Sequence, residues 1–260
     1  MKKIIAILLV FVMMLSFAAC GEKKEQQDPQ QEVKTLKVGT SPDFPPFEYL
    51  EGQDVVGIEI DILDAIAEKL GMKLEIVQMD FDSVLPGVQA GKLDIGASGI
   101  TITESRLKEA LFTQPYCMAA QAIVVVEGSP VTCKADLEGK KVSAQTGTTA
   151  EDFCMAEGYD VLAYQANNDA ESAVVTGKVD AWVIDDLTAA AMVAEYNKTA
   201  ATKLVILDEA MTTEPYGFAS KKGNEDLIKS MDDILTEMLK DGSIQKIFEK
   251  YDAPYTSPLK

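Results

Sequence analysis

"VQAGKLDIGAS", residues 88–98, and "VVTGKVDAWVIDD", residues 174–186, follow one plan. Each passes from the end of an amphipathic segment through a Gly-Lys turn, one apolar residue and an aspartate into an apolar run. A helix closed by glycine and followed at once by a buried strand is half of an α/β unit. Two such units in one chain predict two α/β lobes facing each other. Ligands of open α/β sheets sit at the C-terminal ends of the strands, so the cleft between lobes is the expected site.

The same alternation continues on both sides. Strands are expected at "LKVGT" (36–40), "VVGIEI" (55–60), "KLEIVQM" (73–79), "LDIGAS" (93–98), "QAIVVVEG" (121–128), "KKVSAQ" (140–145), "VLAYQ" (161–165), "VDAWVI" (179–184), "KLVILD" (203–208) and "YGFAS" (216–220). Helical spacing of apolar residues marks "DILDAIAEKLG" (61–71), with Gly71 as its cap, and "FDSVLPGVQAG" (81–91), with Pro86 placed in the first turn. Further helices are expected at 148–158, 168–177, 187–197, 224–242 and 243–252. The fold class is α/β, with helices on both faces of the sheets.

Before this body, "MKK" and the uncharged run 4–19 have the form of a secretory signal, residues 1–19, too short for a comfortable membrane span. Cys20 follows "FAA" and resembles the lipidated first residue of a bacterial lipoprotein, although Phe17 stands where that pattern usually has Leu. Residues 20–34 then form the lipidated cysteine and a polar tether, whose composition cannot bury a core. As a flexible coil it reaches ~20 Å.

The formal charge is −18, and removal of Lys2 and Lys3 with the signal makes it −20. So acidic a chain repels nucleic acid and anionic lipid; its expected membrane link is the lipid. Histidine is absent, which removes the commonest general base and metal ligand. No metal, cofactor or catalytic group is expected. Cys117, Cys133 and Cys154 lack metal-site spacing; export permits a Cys133–Cys154 bridge, and buried free thiols are the alternative.

Four loops carry candidate chemistry. "TSPDFPPFEY" (40–49) is stiffened by three prolines and presents Phe44, with Phe47 assigned to the core. "GASGITITESR" (96–106) combines glycines and hydroxyls with Arg106, the only arginine in 260 residues. In a chain that otherwise uses lysine, a lone guanidinium points to a carboxylate held by two parallel hydrogen bonds. "AQTGTTAE" (144–151) offers Thr148 and helix N–H groups to an anion. "VIDD" (183–186) puts two carboxylates at a strand exit, one suited to an ammonium and one to capping the next helix. A fork, a carboxylate, small hydroxyls and an aromatic plate complement a zwitterion: carboxylate to Arg106, ammonium to Asp185, side chain against Phe44.

"KVGTSPDFPPFEY", "VGIEIDILDAIAEKLG", "FDSVLPGVQAGKLDIGASGITITESR", "FTQPYCMAAQ", "GKKVSAQTGTT", "GKVDAWVIDD" and "EPYGFASKK" together resemble the amino-acid-binding proteins of ABC importers, solute-binding family 3, also called polar amino-acid-binding proteins. The resemblance implies a two-lobed periplasmic-binding-protein type II fold with crossings near Tyr116–Ala120 and Met211–Pro215. Lobe 1 would be 35–118 with 214–258, and lobe 2 would be 119–213. It also implies that Thr101 and Thr148 assist Arg106. Ser98 and Gly99 would join Asp185 at the ammonium, Phe44 and Phe81 would flank the ligand side chain, and Gln145 and Glu214 would contact it. Ser41 departs from the Asp that several binders of basic amino acids or glutamine carry there, with Asp43, Asp80 and Glu214 able to compensate. The expected partners are a polar α-amino acid and an ABC permease, for a monomer anchored outside the cell membrane or in the periplasm. A receptor-coupled sensor and an exported dehydratase-like enzyme are the alternatives.

Overall fold

The computed structural model describes residues 33–259; the signal, Cys20 and nearly all of the tether lie outside the described residues. In chain order the elements are β1 (Thr35–Thr40), β2 (Asp43–Phe44), β3 (Glu48–Glu51), β4 (Asp54–Val56), α1 (Ile58–Leu70), β5 (Lys73–Gln78), α2 (Phe81–Gln89), β6 (Ile95–Gly96), α3 (Glu104–Glu109), β7 (Ala110–Phe112), β8 (Cys117–Ala119) and β9 (Gln121–Val126). They continue with β10 (Lys141–Gln145), α4 (Thr149–Ala156), β11 (Asp160–Tyr164), α5 (Asn167–Val175), β12 (Ala181–Asp185), α6 (Asp186–Thr199), β13 (Leu204–Ile206), β14 (Glu214–Tyr216), β15 (Ala219–Lys221), α7 (Glu225–Lys240) and α8 (Ser243–Lys250).

Two five-stranded sheets share a plan. The first has the order β5-β1-β6-β15-β7, the second β11-β10-β12-β9-β13. In each, the first three strands are parallel and the remaining two join antiparallel. The repeated sequence plan maps onto the central strands, β6 and β12, so the loops that follow them leave equivalent points of the two sheets. Between the sheets the chain runs through β8 and β14, an antiparallel ribbon that pairs Glu214 with Ala119 and Tyr216 with Cys117. After β15 the chain stays with the first sheet: α7 and α8 pack against α1, burying Ile228, Met231, Leu235 and Met238 along one stripe.

Three expectations are corrected. "VVGIEI" is a strand only to Val56. Gly57 adopts φ 139° and caps α1, and a Cβ there would collide with the Phe47 carbonyl. Ile58, Ile62 and Ile66 then bury at helical spacing; over six residues, their alternation with acids is equally readable as period two. Pro86 falls inside α2 and not in its first turn. It sits on the exposed face beside exposed Asp82, where solvent can satisfy the carbonyl that proline leaves unpaired. "YGFAS" splits between two sheets, since Tyr216 pairs in the ribbon while Ala219 pairs with Gly96 and Phe112. The three described cysteines carry free thiols, and burial pushes that of Cys154 up to about 12.

Candidate functional site

Nine of the ten expected ligand contacts line one small cavity: Phe44, Phe81, Ser98, Gly99, Thr101, Arg106, Gln145, Thr148 and Asp185. Glu214 lies outside the lining. Asp80, one of the compensating acids, is exposed at the N-terminus of α2.

The Arg106 side is built by a loop and a short helix. Thr103 caps α3, its hydroxyl accepting the Arg106 N–H at 3.2 Å. The guanidinium donates from Nη1 to the Thr101 carbonyl at 3.0 Å and from Nη2 to the Gly147 carbonyl, across the cleft, at 3.1 Å. It lies over the Phe81 ring, 5.7 Å from its centroid. Among the described residues no carboxylate comes within ion-pair distance of it, and burial lowers its pKa against the pull of Asp152, Glu214 and Asp185. A half-buried cation held only by carbonyls and a ring is suited to receive an anion.

Gly99 explains the glycine of "GASG". Its φ is +54°, and a Cβ would stand 2.6 Å from Phe44 Cε1. Gly99→Ala is therefore expected to destabilise the protein by at least about 1 kcal/mol and to weaken ligand binding about tenfold through displacement of Phe44. Denaturant unfolding and calorimetry would show it; unchanged values in both would mean that the loop adapts without strain.

Thr148 caps α4, its hydroxyl accepting the Glu151 N–H at 3.2 Å and donating to the Gln145 carbonyl at 2.7 Å. Thr149, the next hydroxyl, also lines the cavity, 3.5 Å from Thr101 Oγ1. The two aspartates after β12 divide the work. Asp186 Oδ1 accepts the N–H groups of Leu187 and Ala120 at 2.8 and 3.3 Å. Asp185 makes no cap; its carboxylate accepts Gln121 Nε2 at 2.7 Å. Burial and the Glu214 carboxylate push the Asp185 carboxyl well up, with Tyr216 and Arg106 opposing. Such a group takes a proton or a cation.

Beside Asp185, Gln121 Oε1 and Glu214 Oε2 are buried without partners, and the buried Tyr216 hydroxyl has only the Asp185 carboxyl to turn to. Unmet buried groups around a cavity are sites for ligand atoms or water. Gln121, Tyr216 and Thr149 are absent from the sequence reading. Gln121 alone left a signal, as the one polar residue in the run "AAQAIVVV".

The two halves also bond directly. Asp43 accepts the Asn167 N–H at 2.7 Å and Gln145 Nε2 at 3.2 Å, and Asp82 accepts Gln165 Nε2 at 3.3 Å. The cavity between them measures ≈ 10 Å³, room for about one water. Anything the size of an amino acid can enter only if the halves separate.

Two sheets of matched topology, joined by a two-stranded ribbon and meeting over a polar cavity, define a two-lobed ligand-binding protein of the periplasmic-binding-protein type II fold. Residues 36–253 match the family model of bacterial extracellular solute-binding proteins, family 3, and the chain belongs to that family. It is similar to the L-cystine-binding protein of Escherichia coli, 32% identical over 85% of this chain and 84% of that one. It is also similar to the arginine-binding extracellular protein of Bacillus subtilis, 26% identical over 96% of this chain and 98% of that one. Among solved structures, an ancestral arginine-binding protein bound to arginine superposes with a TM-score of 0.77 at 41% identity, covering 84% of this chain and 97% of that one.

Proposed function

We propose that this protein captures a polar α-amino acid between two lobes and delivers it to the membrane permease of an ABC importer. The observation that carries the proposal is the cavity at the strand ends of both sheets. It sets a guanidinium without a carboxylate partner against a buried carboxyl ringed by unmet polar atoms. Arg106 takes the ligand carboxylate, with Thr101 and Thr148 beside it. Asp185 takes the ammonium, helped by Ser98 and Gly99, and Phe44 and Phe81 flank the side chain. Ser98 would do so through its carbonyl, because its hydroxyl is spent between Glu48 and the Ser41 N–H. Gln145 is tied to Asp43, so it acts at the lobe contact as well as on the ligand. Glu214, outside the lining, acts on the ligand through its field on Asp185 and Arg106.

Lobe 1 comprises 35–118 and 214–258, and lobe 2 comprises 119–213; the separate sheets and the ribbon between them support that division. The cystine and arginine named for the relatives are the first ligands to try. The mature chain is read as a monomer, anchored through an acylated Cys20 outside the cell membrane. Binding needs no chemistry on the ligand: a few charge-assisted hydrogen bonds at about 1.5–3 kcal/mol each reach the ~8 kcal/mol of micromolar affinity after closing costs.

A thermal-shift screen of the stripped, refolded body against the twenty amino acids plus ornithine, citrulline and cystine tests the proposal. A ligand at 100 times its Kd adds ~2.7 kcal/mol, a shift of several degrees. One or a few strong hits are expected; a flat screen would send the search to peptides and organic acids.

A further inference from the structure

Two carboxyl groups behind the cavity are fully buried: Glu48 on β3 and Glu59 in the first turn of α1. Neither lines the cavity. Glu59 is occupied as an acceptor, taking the Tyr116 hydroxyl on Oε1 at 2.6 Å and the Gly99 N–H on Oε2 at 3.2 Å. Glu48 accepts the Ser98 hydroxyl on Oε1 at 3.0 Å, while its Oε2 meets no donor. The two carboxyls are neighbours: the Glu59 N–H donates to the Phe47 carbonyl, next to Glu48, at 3.0 Å, and the two carboxyls hold the adjacent residues Ser98 and Gly99. Among the described residues, Asp43, Tyr116 and Cys117 are the other titratable groups facing the pair, and none of them is a cation.

We propose that Glu48 and Glu59 share one proton, carried by Glu48, and that this pair is the positioning device that holds the Ser98–Gly99 loop and the Tyr116 crossing in ligand-binding geometry. Two ionised carboxylates cannot sit side by side in a dry interior without a cation. The orphaned Glu48 Oε2 becomes satisfied once it carries the proton and donates it to Glu59. Burial and the Glu59 charge both push the Glu48 carboxyl well up, as the shared proton requires.

The pair is wired in two directions. Through Glu59 it grips Gly99 and, via Tyr116, the chain segment that enters the ribbon. Through Glu48 and Ser98 it reaches the Ser41 N–H at 3.1 Å, and the Ser41 hydroxyl donates to Asp43 Oδ1 at 3.0 Å. Asp43 in turn holds Asn167 and Gln145 of the other half. Loss of the proton sets two charges against each other beneath the ligand loop.

The sign follows from a raised folded-state pKa. The stabilisation is complete below the unfolded carboxyl value and is lost as pH rises through the raised one. The effect on ligand affinity rests on the amino-acid reading above; the effect on stability does not.

The test is calorimetric affinity and ligand-free thermal unfolding, each titrated from about pH 5 to about pH 9, in wild type, Glu48→Gln and Glu59→Gln. The glutamine of E48Q copies the protonated acid, accepting from Ser98 and donating to Glu59. It is expected to bind within about twofold of wild type at acid pH and to lack the alkaline fall, which for one linked proton reaches up to about tenfold per pH unit. E59Q turns a donor toward Tyr116 or Gly99 and is expected to lose about tenfold or more at every pH. Equal behaviour of the two variants, or a fall with pH in E48Q as steep as that of wild type, would overturn the proposal. If E59Q does not fold, the comparison of E48Q with wild type decides alone. If no amino acid binds, a stability gain of E48Q over wild type that grows with pH still upholds the shared proton. Its absence refutes the pair whatever the ligand.

Discussion

Arg106→Lys is expected to lower amino-acid affinity by about a hundredfold or more while leaving the melting temperature of the ligand-free protein within a few degrees of wild type. A lysine keeps the charge but loses the planar fork, and with it both the bidentate grip on a carboxylate and the stack on Phe81. Two charge-assisted hydrogen bonds at about 1.5–3 kcal/mol each set the size of the loss. The bonds to the Thr101 and Gly147 carbonyls also go, so the ammonium has no fixed position from which to meet the ligand. Stability survives because the half-buried guanidinium has no carboxylate partner, and desolvation works against its charge. Arg106→Met is accordingly expected to abolish binding in a ligand-free protein at least as stable as wild type. Calorimetry beside thermal unfolding checks both, and unchanged affinity in Arg106→Lys would remove Arg106 from the site.

Asp185→Asn is expected to weaken binding of the amino acid by about a hundredfold, but of an analogue lacking the α-amino group far less, because only the former would lose its counter-charge. The pH dependence separates this role from a structural one. Burial and Glu214 hold the Asp185 carboxyl well above the usual carboxylate range. Its contribution to stability is therefore full below the unfolded value and declines as pH rises through the raised one. Ligand-free Asp185→Asn should lose this alkaline decline and gain stability over wild type there. An incoming ammonium favours the ionised carboxylate, so binding near the raised pKa releases a proton to buffer. Calorimetry in buffers of different ionisation enthalpy measures that proton, which should be missing in Asp185→Asn. Equal losses for amino acid and analogue would refute the ammonium role.

The candidate site was largely legible because its chemistry is local. A single arginine among lysines, two glycines in "GASG", a proline-stiffened loop with Phe44 and an aspartate pair at a strand exit each carry their meaning in a few residues. Gln121 does not. It reaches Asp185 because β9 and β12 pair with those two residues opposite each other, and strand register is a property of residues far apart in sequence. Tyr216 arrives by the ribbon with Cys117 and a bridge to Thr101. In sequence Glu48 falls in the proline-stiffened loop and Glu59 in an expected strand; only packing reveals that both are buried.

By itself the sequence determined the α/β rhythm, the duplicated helix–turn–strand plan and the singular place of Arg106 among lysines. These follow from periodicity, turn chemistry and the shape of a guanidinium, all of them short-range. The tertiary structure alone decided where "VVGIEI" breaks, which of the two aspartates faces the cavity, which polar atoms are left unmet and which acids are buried together. Those depend on desolvation and on neighbours brought from the other half of the chain, and a linear sequence does not display either.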